Sequence, residues 1–394
     1  MRYCVRLLLT AMMIGLFMNR SSVSAQTAIT ISDQKVTLQF PNLATFTVHI
    51  TDSTEITQVV LEYGVDERTC GTVTAKAFPT FTVGNTVNAT WTWDMHKSGS
   101  EPPGTTIWYR WQVTDKSGSV TESPKQTLLW LDNQFAWQSV TREMLTLHWY
   151  NGTSTFANNL LNSAVDSLHQ LSQTTGVVPD SPINLYIYGS FDDLHKATLY
   201  QPGWTGGLAF PAYDITIIGI SPDQEAWGKR TEAHELTHVL IGHLIFGCMT
   251  TIPTWLNEGL AVYGEGGPQT EAADLFQKAL DSDKLLPIRT LSGNFSEVAS
   301  TADLSYSESY SIVNYLIKHF GQSNMTKLLE NIRQGMVIED ALQGSYGFGL
   351  DELERRWRDS IGAPAHAVVG ITPTANPSPT AIPTYQLITS ANAN

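Results

Sequence analysis

The chain has 394 residues, of which 42% are hydrophobic, and its acidic side chains outnumber its basic ones by 14. That length and apolar content are enough for two folded domains, each with a core of its own. A charge balance this acidic excludes nucleic acid and anionic lipid as favoured partners.

Residues 1–25 are typical of a secretory signal peptide. Arg2 and Arg6 precede an apolar run from Leu7 to Met18, and small residues at 23–25 offer a cleavage site. The run is too short to span a bilayer comfortably, which favours cleavage over an uncleaved membrane anchor, and no later stretch is long and apolar enough to cross a membrane. We therefore expect a secreted or cell-surface protein of bacterial type. Its net charge would be −17, because the segment carries three arginines and no acid.

Two cysteines follow this segment, Cys70 and Cys248. They are far apart in sequence and fall in different predicted domains, so we expect them to remain unpaired. An oxidising compartment leaves the alternative of a disulfide open.

Residues 26–131 have the pattern of an all-β domain, because short runs of β-branched and aromatic residues alternate with turn residues. The predicted strands are Val36–Phe40, Thr45–Ile50, Gln58–Tyr63, Thr80–Val83, Thr86–Trp93, Thr105–Val113 and Ser119–Leu129. Seven strands in about a hundred residues predict an immunoglobulin- or fibronectin-like β-sandwich. The sixth strand and the turn at 115–118 resemble extracellular bacterial modules of that kind. Trp91, Trp93 and Trp111 could serve as a sugar platform, but their placement on single strand faces favours core packing.

At about residue 132 the pattern changes, and we predict a second domain over residues 132–362. Its first half mixes strands and helices, with predicted elements at Leu145–Tyr150, Thr155–Gln173, Ile183–Tyr188, Ser190–Leu199, Gly206–Phe210 and Ile215–Ile220. Ser221, Pro222 and Gln224 supply an N-cap, a first-position proline and a capping-box partner. The next helix should begin at about Gly228.

This next helix carries the sequence His-Glu-Leu-Thr-His at residues 234–238. Residues four apart lie on the same face of a helix, so the imidazoles of His234 and His238 can bind one metal ion. Glu235 is then placed to take a proton from a water on that ion. The pattern predicts a Zn²⁺ site of the hydrolytic kind.

A catalytic zinc site needs a third protein ligand and an open position for water. After a loop, the segment Trp255–Tyr263 has a helical pattern and contains Glu258, which is the natural third ligand. The competing metzincin pattern requires glycine at 241 and histidine at 244, where this chain has Ile241 and Leu244. We interpret His243 as a polar residue near the helix end rather than as a ligand.

Together, the His-Glu-Leu-Thr-His sequence and the Trp-Leu-Asn-Glu-Gly-Leu-Ala sequence at 255–261 resemble the gluzincin zinc metallopeptidases, and among them the bacterial peptidase MA-like domains. The resemblance implies an α+β thermolysin-like zincin fold, with His234, His238 and Glu258 as zinc ligands and Glu235 as general base. In this family a strand just before the zinc helix aligns the substrate backbone. The zinc aminopeptidases carry a glutamate in that strand, whereas this chain has Gly206-Gly-Leu-Ala-Phe210. The choice between endopeptidase and exopeptidase therefore stays open.

Beyond residue 263 the pattern predicts a helical C-terminal lobe, with helices at Glu271–Leu280, Leu304–Phe320, Met325–Arg333, Ile338–Leu342 and Leu350–Ile361. The segment Tyr306–Leu316 resembles the aminopeptidase helix whose tyrosine donates a hydrogen bond to the oxyanion, which implies Tyr306 in that role and Tyr310 as the alternative. Residues 363–394 are rich in Pro, Thr, Ala and Ser, which predicts a disordered tail.

The sequence as a whole predicts a secreted zinc metallopeptidase that acts on peptides or proteins. The alternative is an extracellular adhesion or glycan-binding protein in which the zincin domain is degenerate and non-catalytic. Oligomeric state, substrate and the role of the N-terminal β domain are not determined by these patterns.

Overall fold

The structure, a computed structural model, describes residues 29–201, 205–296 and 298–364. The predicted signal peptide at 1–25 lies outside the described residues, as does nearly all of the predicted tail at 363–394. Within the described residues, no helix is both long and apolar enough to cross a bilayer.

Seven strands and one short helix make up the N-terminal β region. They are β1 (Thr30–Gln39), β2 (Leu43–Val65), β3 (Ala75–Ala77), β4 (Gly84–Asp94), α1 (Met95–Ser98), β5 (Thr105–Asp115), β6 (Val120–Glu122) and β7 (Gln126–Trp130). All their pairings are antiparallel, and the strands form one hydrogen-bonded sheet with the path β1-β2-β5-β6.

The predicted two-sheet sandwich is not confirmed, because these strands belong to a single hydrogen-bonded sheet. Strand β2 runs for 23 residues; its first half pairs with β1 and β4, and its second half pairs with β3 and β5. Side chains from both halves, such as Phe46 and Leu61, reach the same buried core together with Trp111. One long strand therefore takes the place of the two strands predicted within it.

Two further differences concern strands. The predicted strand Thr80–Val83 is absent; the chain pairs at β3 instead, just before Pro79, which has no N–H to donate to a ladder. Pro124 likewise separates β6 from β7, which were predicted as one strand. The core packing predicted for the tryptophans is confirmed, with Trp111 fully buried, Trp93 7% exposed and Trp91 packed against the core.

A second sheet opens the C-terminal region. Its elements are β8 (Gln138–Arg142), β9 (Leu145–Trp149), α2 (Ser154–Thr175), β10 (Ile183–Tyr188), α3 (Phe191–Ala197), β11 (Gly207–Phe210) and β12 (Ile215–Gly219). The strand order is β11-β12-β10-β9-β8, in which β9, β10 and β12 are parallel and both outer strands are antiparallel to their neighbours. Strand β11 is thus an edge strand.

Seven helices complete the described chain: α4 (Glu225–Ile245), α5 (Thr254–Gly264), α6 (Thr270–Asp281), α7 (Ala299–Phe320), α8 (Gln322–Arg333), α9 (Ile338–Tyr346) and α10 (Leu350–Ile361). This confirms the predicted helical lobe. Helix α4 begins three residues before the predicted start, because the capping box of Ser221 and Gln224 closes a 3₁₀ turn that runs directly into it. The helices share one apolar core with α2 and the sheet.

Cys70 and Cys248 form a disulfide, which corrects the expectation that they are unpaired. The loop after β2 packs on the connection between α4 and α5, and this brings the two Cα atoms to 5.5 Å across a separation of 178 residues. Sequence distance gave no measure of spatial distance here. The predicted domain boundary at 131/132 stays a prediction.

Candidate metal centre

Helix α4 places both histidines of the His-Glu-Leu-Thr-His sequence on one face. The rings of His234 and His238 lie 4.8 Å apart between centroids. The opposite face is held by side chains that are buried in the core of the C-terminal region, among them Leu236, Val239 and Leu240. The apolar spacing that predicted the helix therefore also fixes which way the imidazoles point.

Helix α5 brings Glu258 to this pair. Its Oε2 atom lies 3.4 Å from Nε2 of His234 and 3.3 Å from Nε2 of His238. Trp255, Leu256 and Leu260 anchor α5 in the core with no exposed surface. Among the described residues, these two histidines and this glutamate are the cluster able to hold a metal ion.

The three donor atoms fit a shared cation better than a hydrogen-bonded group. Tetrahedral zinc with ligands at about 2.0–2.1 Å separates its ligand atoms by about 3.4 Å, close to both distances. A charge-assisted N–H···O bond would bring nitrogen and oxygen to about 2.8 Å. In addition, the buried Oε2 of Glu258 makes no hydrogen bond within the described structure. A carboxylate oxygen that lies between two imidazoles without a hydrogen bond is an arrangement that a divalent cation satisfies.

The charges of the site are arranged for a cation as well. Burial alone would raise the pKa of Glu258, but the neighbouring histidines outweigh it and hold that pKa well below its usual range. Burial lowers the pKa of His234. Burial also disfavours the charged form of His238, yet the carboxylates of Glu258 and Glu235 raise its pKa to about 9.

Glu235, which follows His234 on α4, is 9% exposed. Burial raises its pKa to about 8, and the other carboxylates of the site contribute to the rise. A Cβ atom on Gly207 would come within 2.7 Å of Oε1 of Glu235, so the edge strand β11 lies directly against this side chain. Sequence reasoning did not single out Gly207; the Gly-Gly pair at the start of an edge strand was the available signal.

A cavity of about 350 Å³ opens next to these residues. Its lining includes His234 and Glu235 from α4, Gly207 from β11 and Tyr306 from α7. The ring of Tyr306 packs edge-on to His234 with centroids 6.1 Å apart. Tyr310 is absent from this lining and lies against Tyr263 instead. Of the two tyrosines that the sequence left open, Tyr306 is the one beside the metal-binding cluster.

Glu265 is a further acidic side chain that contacts an imidazole of the cluster. Its Oε2 lies 3.9 Å from Nδ1 of His234. Burial raises the pKa of Glu265 to about 7, and Arg230 moderates that rise. Glu232 points away from the cluster, where it is fully buried and accepts a hydrogen bond from Thr216. His243 lies at the far end of α4 and contacts Asp214.

Comparison with known proteins gives a family. A family model described as the Peptidase MA superfamily matches residues 163–363, just over half of the chain. No curated protein matches the sequence. The matched segment begins inside α2 and ends just after α10, so it contains the whole candidate metal centre.

Solved structures give only distant likenesses. Aminopeptidase A of Legionella pneumophila, solved with aspartic acid, is 13% identical with a TM-score of 0.32, over 84% of this chain and 47% of that one. Spo0M of Bacillus subtilis, a sporulation control protein, is 11% identical with a TM-score of 0.18, over 35% of this chain. The match spans about half of Spo0M, 55% of its length. TM-scores this low do not establish a common fold.

The superfamily assignment therefore depends on the family model, whose match covers both helices of the metal-binding cluster. This chain belongs to the Peptidase MA superfamily.

Proposed function

We propose that the protein is a secreted zinc-dependent metallopeptidase that hydrolyses peptide bonds. The observation that carries the proposal is the convergence of His234, His238 and Glu258 beside a cavity lined by Glu235 and Tyr306. Secretion is supported by the character of residues 1–25 and by the Cys70–Cys248 disulfide, a bond typical of oxidising compartments.

His234, His238 and Glu258 would hold the zinc ion and leave a position open towards the cavity. Zinc bound there would supply a Lewis acid that polarises the scissile carbonyl and lowers the pKa of water towards about 7. The remaining chemistry belongs to side chains of this chain.

Glu235 acts as general base and then as general acid. Its carboxylate takes a proton from the attacking water, and the same proton passes to the leaving amine when the C–N bond breaks. Burial raises the pKa of Glu235 above the ordinary value for a glutamate, which makes its carboxylate a stronger base than an exposed one.

Tyr306 stabilises the negative charge that develops on the carbonyl oxygen. Burial raises the pKa of this phenol above its usual value, so it stays protonated and can donate a hydrogen bond. Its position in the cavity wall, next to His234, suits that role.

The substrate class follows from the edge strand. Strand β11 has a partner, β12, on one side only within the described sheet, and its glycine end lies against Glu235. An extended peptide can add to such an edge through main-chain hydrogen bonds, which brings its carbonyl groups along the cavity. Peptides and unfolded protein segments are therefore the proposed substrates.

A peptide-library digestion with mass-spectrometric readout tests this function. The zinc-loaded protein should cleave peptides, a chelator should stop cleavage, and added zinc should restore it. Substrates with blocked N-termini distinguish an endopeptidase from an aminopeptidase. If the protein binds zinc with full occupancy and cleaves nothing, the degenerate, non-catalytic alternative replaces the proposal.

A further inference from the structure

One loop of the N-terminal β region makes covalent and polar contacts with the C-terminal region. This docking loop, residues 66–74, connects β2 to β3. The backbone N–H of Arg68 donates to the carbonyl of Ala212 at 2.7 Å, and Cys70 forms the disulfide with Cys248. The loop is therefore fixed at both its main chain and a side chain.

The Arg68 guanidinium enters a group of polar side chains that all belong to the C-terminal region. Its Nε donates to Oδ1 of Asp214 at 3.3 Å, and its Nη1 donates to Oδ2 of Asp180 at 3.2 Å. Its Nη2 donates to Oγ of Ser181 at 2.5 Å. The Arg68 side chain is 21% exposed and that of Asp214 is 20% exposed. A guanidinium that donates hydrogen bonds to several acceptors has little freedom to move.

Asp214 connects this arginine to the metal-binding helix. The same carboxylate contacts Nε2 of His243, whose side chain is 3% exposed, and its other oxygen accepts a hydrogen bond from Ser181 at 2.7 Å. Although burial would raise the pKa of Asp214, the contact with His243 and the hydrogen bond from Ser181 hold it below its usual value. His243 lies on α4, nine residues after His234.

Asp214 is also the last residue of the turn that joins β11 to β12. Its backbone is left-handed, with a φ of 58°, and its neighbour Tyr213 donates to Oε2 of Glu101 in the β region at 2.9 Å. The β region thus holds the turn at three residues, Ala212, Tyr213 and Asp214. Strand β11 leads into this turn. Gly207, the first residue of β11, lies against Glu235.

The disulfide attaches the docking loop to the connection between the two helices that carry the metal-binding side chains. Cys248 lies in the connection between α4, which carries His234 and His238, and α5, which carries Glu258. The relative placement of these two helices sets the distances between the three metal-binding side chains. A tether on their connection limits how far α5 can shift against α4.

We propose that the docking loop of the β region completes the peptidase active site, with Arg68 as a positioning residue that holds β11 against α4. Arg68 touches neither the cavity nor the metal-binding cluster; it acts through Asp214, the β11–β12 turn and His243. The inference depends on the proposed function, because it assigns β11 the alignment of the substrate.

Arg68→Ala tests the proposal, with Arg110→Ala as the matched control. Arg110 also forms ion pairs, to Glu62 and Glu122, but both partners belong to the β region itself. Arg68→Ala should lower kcat/KM by about tenfold or more, mainly through KM, while one zinc per chain is retained. Arg110→Ala should leave both constants unchanged. Arg68→Lys, which keeps the charge but loses the planar fork, should recover part of the loss.

Hydrogen exchange supplies a readout that does not depend on activity. In Arg68→Ala, the amides of β11 should exchange faster than in the wild type, and in Arg110→Ala they should not. Equal exchange and equal KM in the two alanine variants would overturn the proposal. If the wild type cleaves no peptide, the proposed function fails, but faster exchange in Arg68→Ala alone still supports the positioning role. If Arg68→Ala does not fold, Arg68→Lys decides the question by the same comparison.

Discussion

Four carboxyl groups of α4 and its surroundings have different pKa values for physical reasons that can be named. The pKa of Glu258 is lowered, because two imidazoles outweigh its burial, whereas burial raises that of Glu235 to about 8. Burial likewise raises the pKa values of Glu232 and Glu265 to about 7. A site in which carboxyl pKa values are pushed apart provides a permanent anion for a metal and a separate group for proton transfer.

Glu235→Gln tests that separation of roles. The amide has nearly the same shape, so the zinc ligands should keep their affinity, but it cannot accept the proton from water. We expect turnover to fall by about a factor of 10² to 10⁴ with zinc content unchanged. Steady-state kinetics together with metal analysis of the same sample provide the measurement. Full activity in this variant would remove Glu235 from the mechanism.

Tyr306→Phe and Tyr310→Phe form a matched pair, because the residues lie one turn apart on α7. Only Tyr306 lines the cavity, so loss of its hydroxyl should reduce kcat by about 10²-fold with little change in KM. Tyr310→Phe should have a small effect, since that ring packs on Tyr263. A larger loss in Tyr310→Phe would reverse the assignment.

Strand β11 and helix α4 approach each other so closely at Gly207 that a side chain there would collide with α4. A Cβ atom at Gly207 would lie 2.7 Å from Oε1 of Glu235 and 2.8 Å from Thr231. Gly207→Ala should therefore displace either the strand or the carboxylate, and we expect kcat/KM to fall by about tenfold or more with zinc still bound. Gly84→Ala is the control, because its nearest neighbour lies 3.9 Å away. Equal activity in both variants would mean that β11 is not held against the base.

Helix α7 contains a buried acid whose titration should affect stability. Glu308 is fully buried and accepts from the backbone N–H of Leu286, and burial raises its pKa from about 4.5 to about 8. Between those pH values the folded protein keeps a proton that the unfolded chain has lost, so Glu308 makes folding less favourable as the pH rises.

Glu308→Gln removes that titration and can still accept the hydrogen bond from Leu286. Relative to the wild type, the variant should gain up to about 1.4 kcal/mol in free energy of unfolding for each pH unit between pH 5 and pH 8. Chemical denaturation at several pH values measures the difference. A stability difference that does not change with pH would contradict the assigned pKa.

At the scale of the whole molecule, the sequence predicted what depends on local pattern. Apolar periodicity over a few residues predicted the helices of the C-terminal lobe and the strand at Ile183–Tyr188. The four-residue spacing of His234 and His238 predicted that both lie on one face of α4. Glu258 was predicted from the need for a third zinc ligand and from the resemblance to gluzincins, and the structure places it beside both histidines.

Contacts between distant segments could not be predicted in this way. The Cys70–Cys248 disulfide and the contacts of Arg68 with Asp180 and Asp214 join segments more than a hundred residues apart, and no local pattern encodes such a pairing. The single folded sheet was missed for a related reason. The continuity of β2 through residues 52–55 depends on the strands that pair with it on either side of the register shifts at residues 51–58.

The proposed metal centre requires one ion held by side chains from two helices, α4 and α5. A competition titration with zinc should give one site per chain in the wild type, and Glu258→Ala should weaken that site by a factor on the order of a hundred or more while the chain stays folded. Unchanged zinc affinity in Glu258→Ala would contradict the account, because α5 would then contribute no ligand to the metal centre.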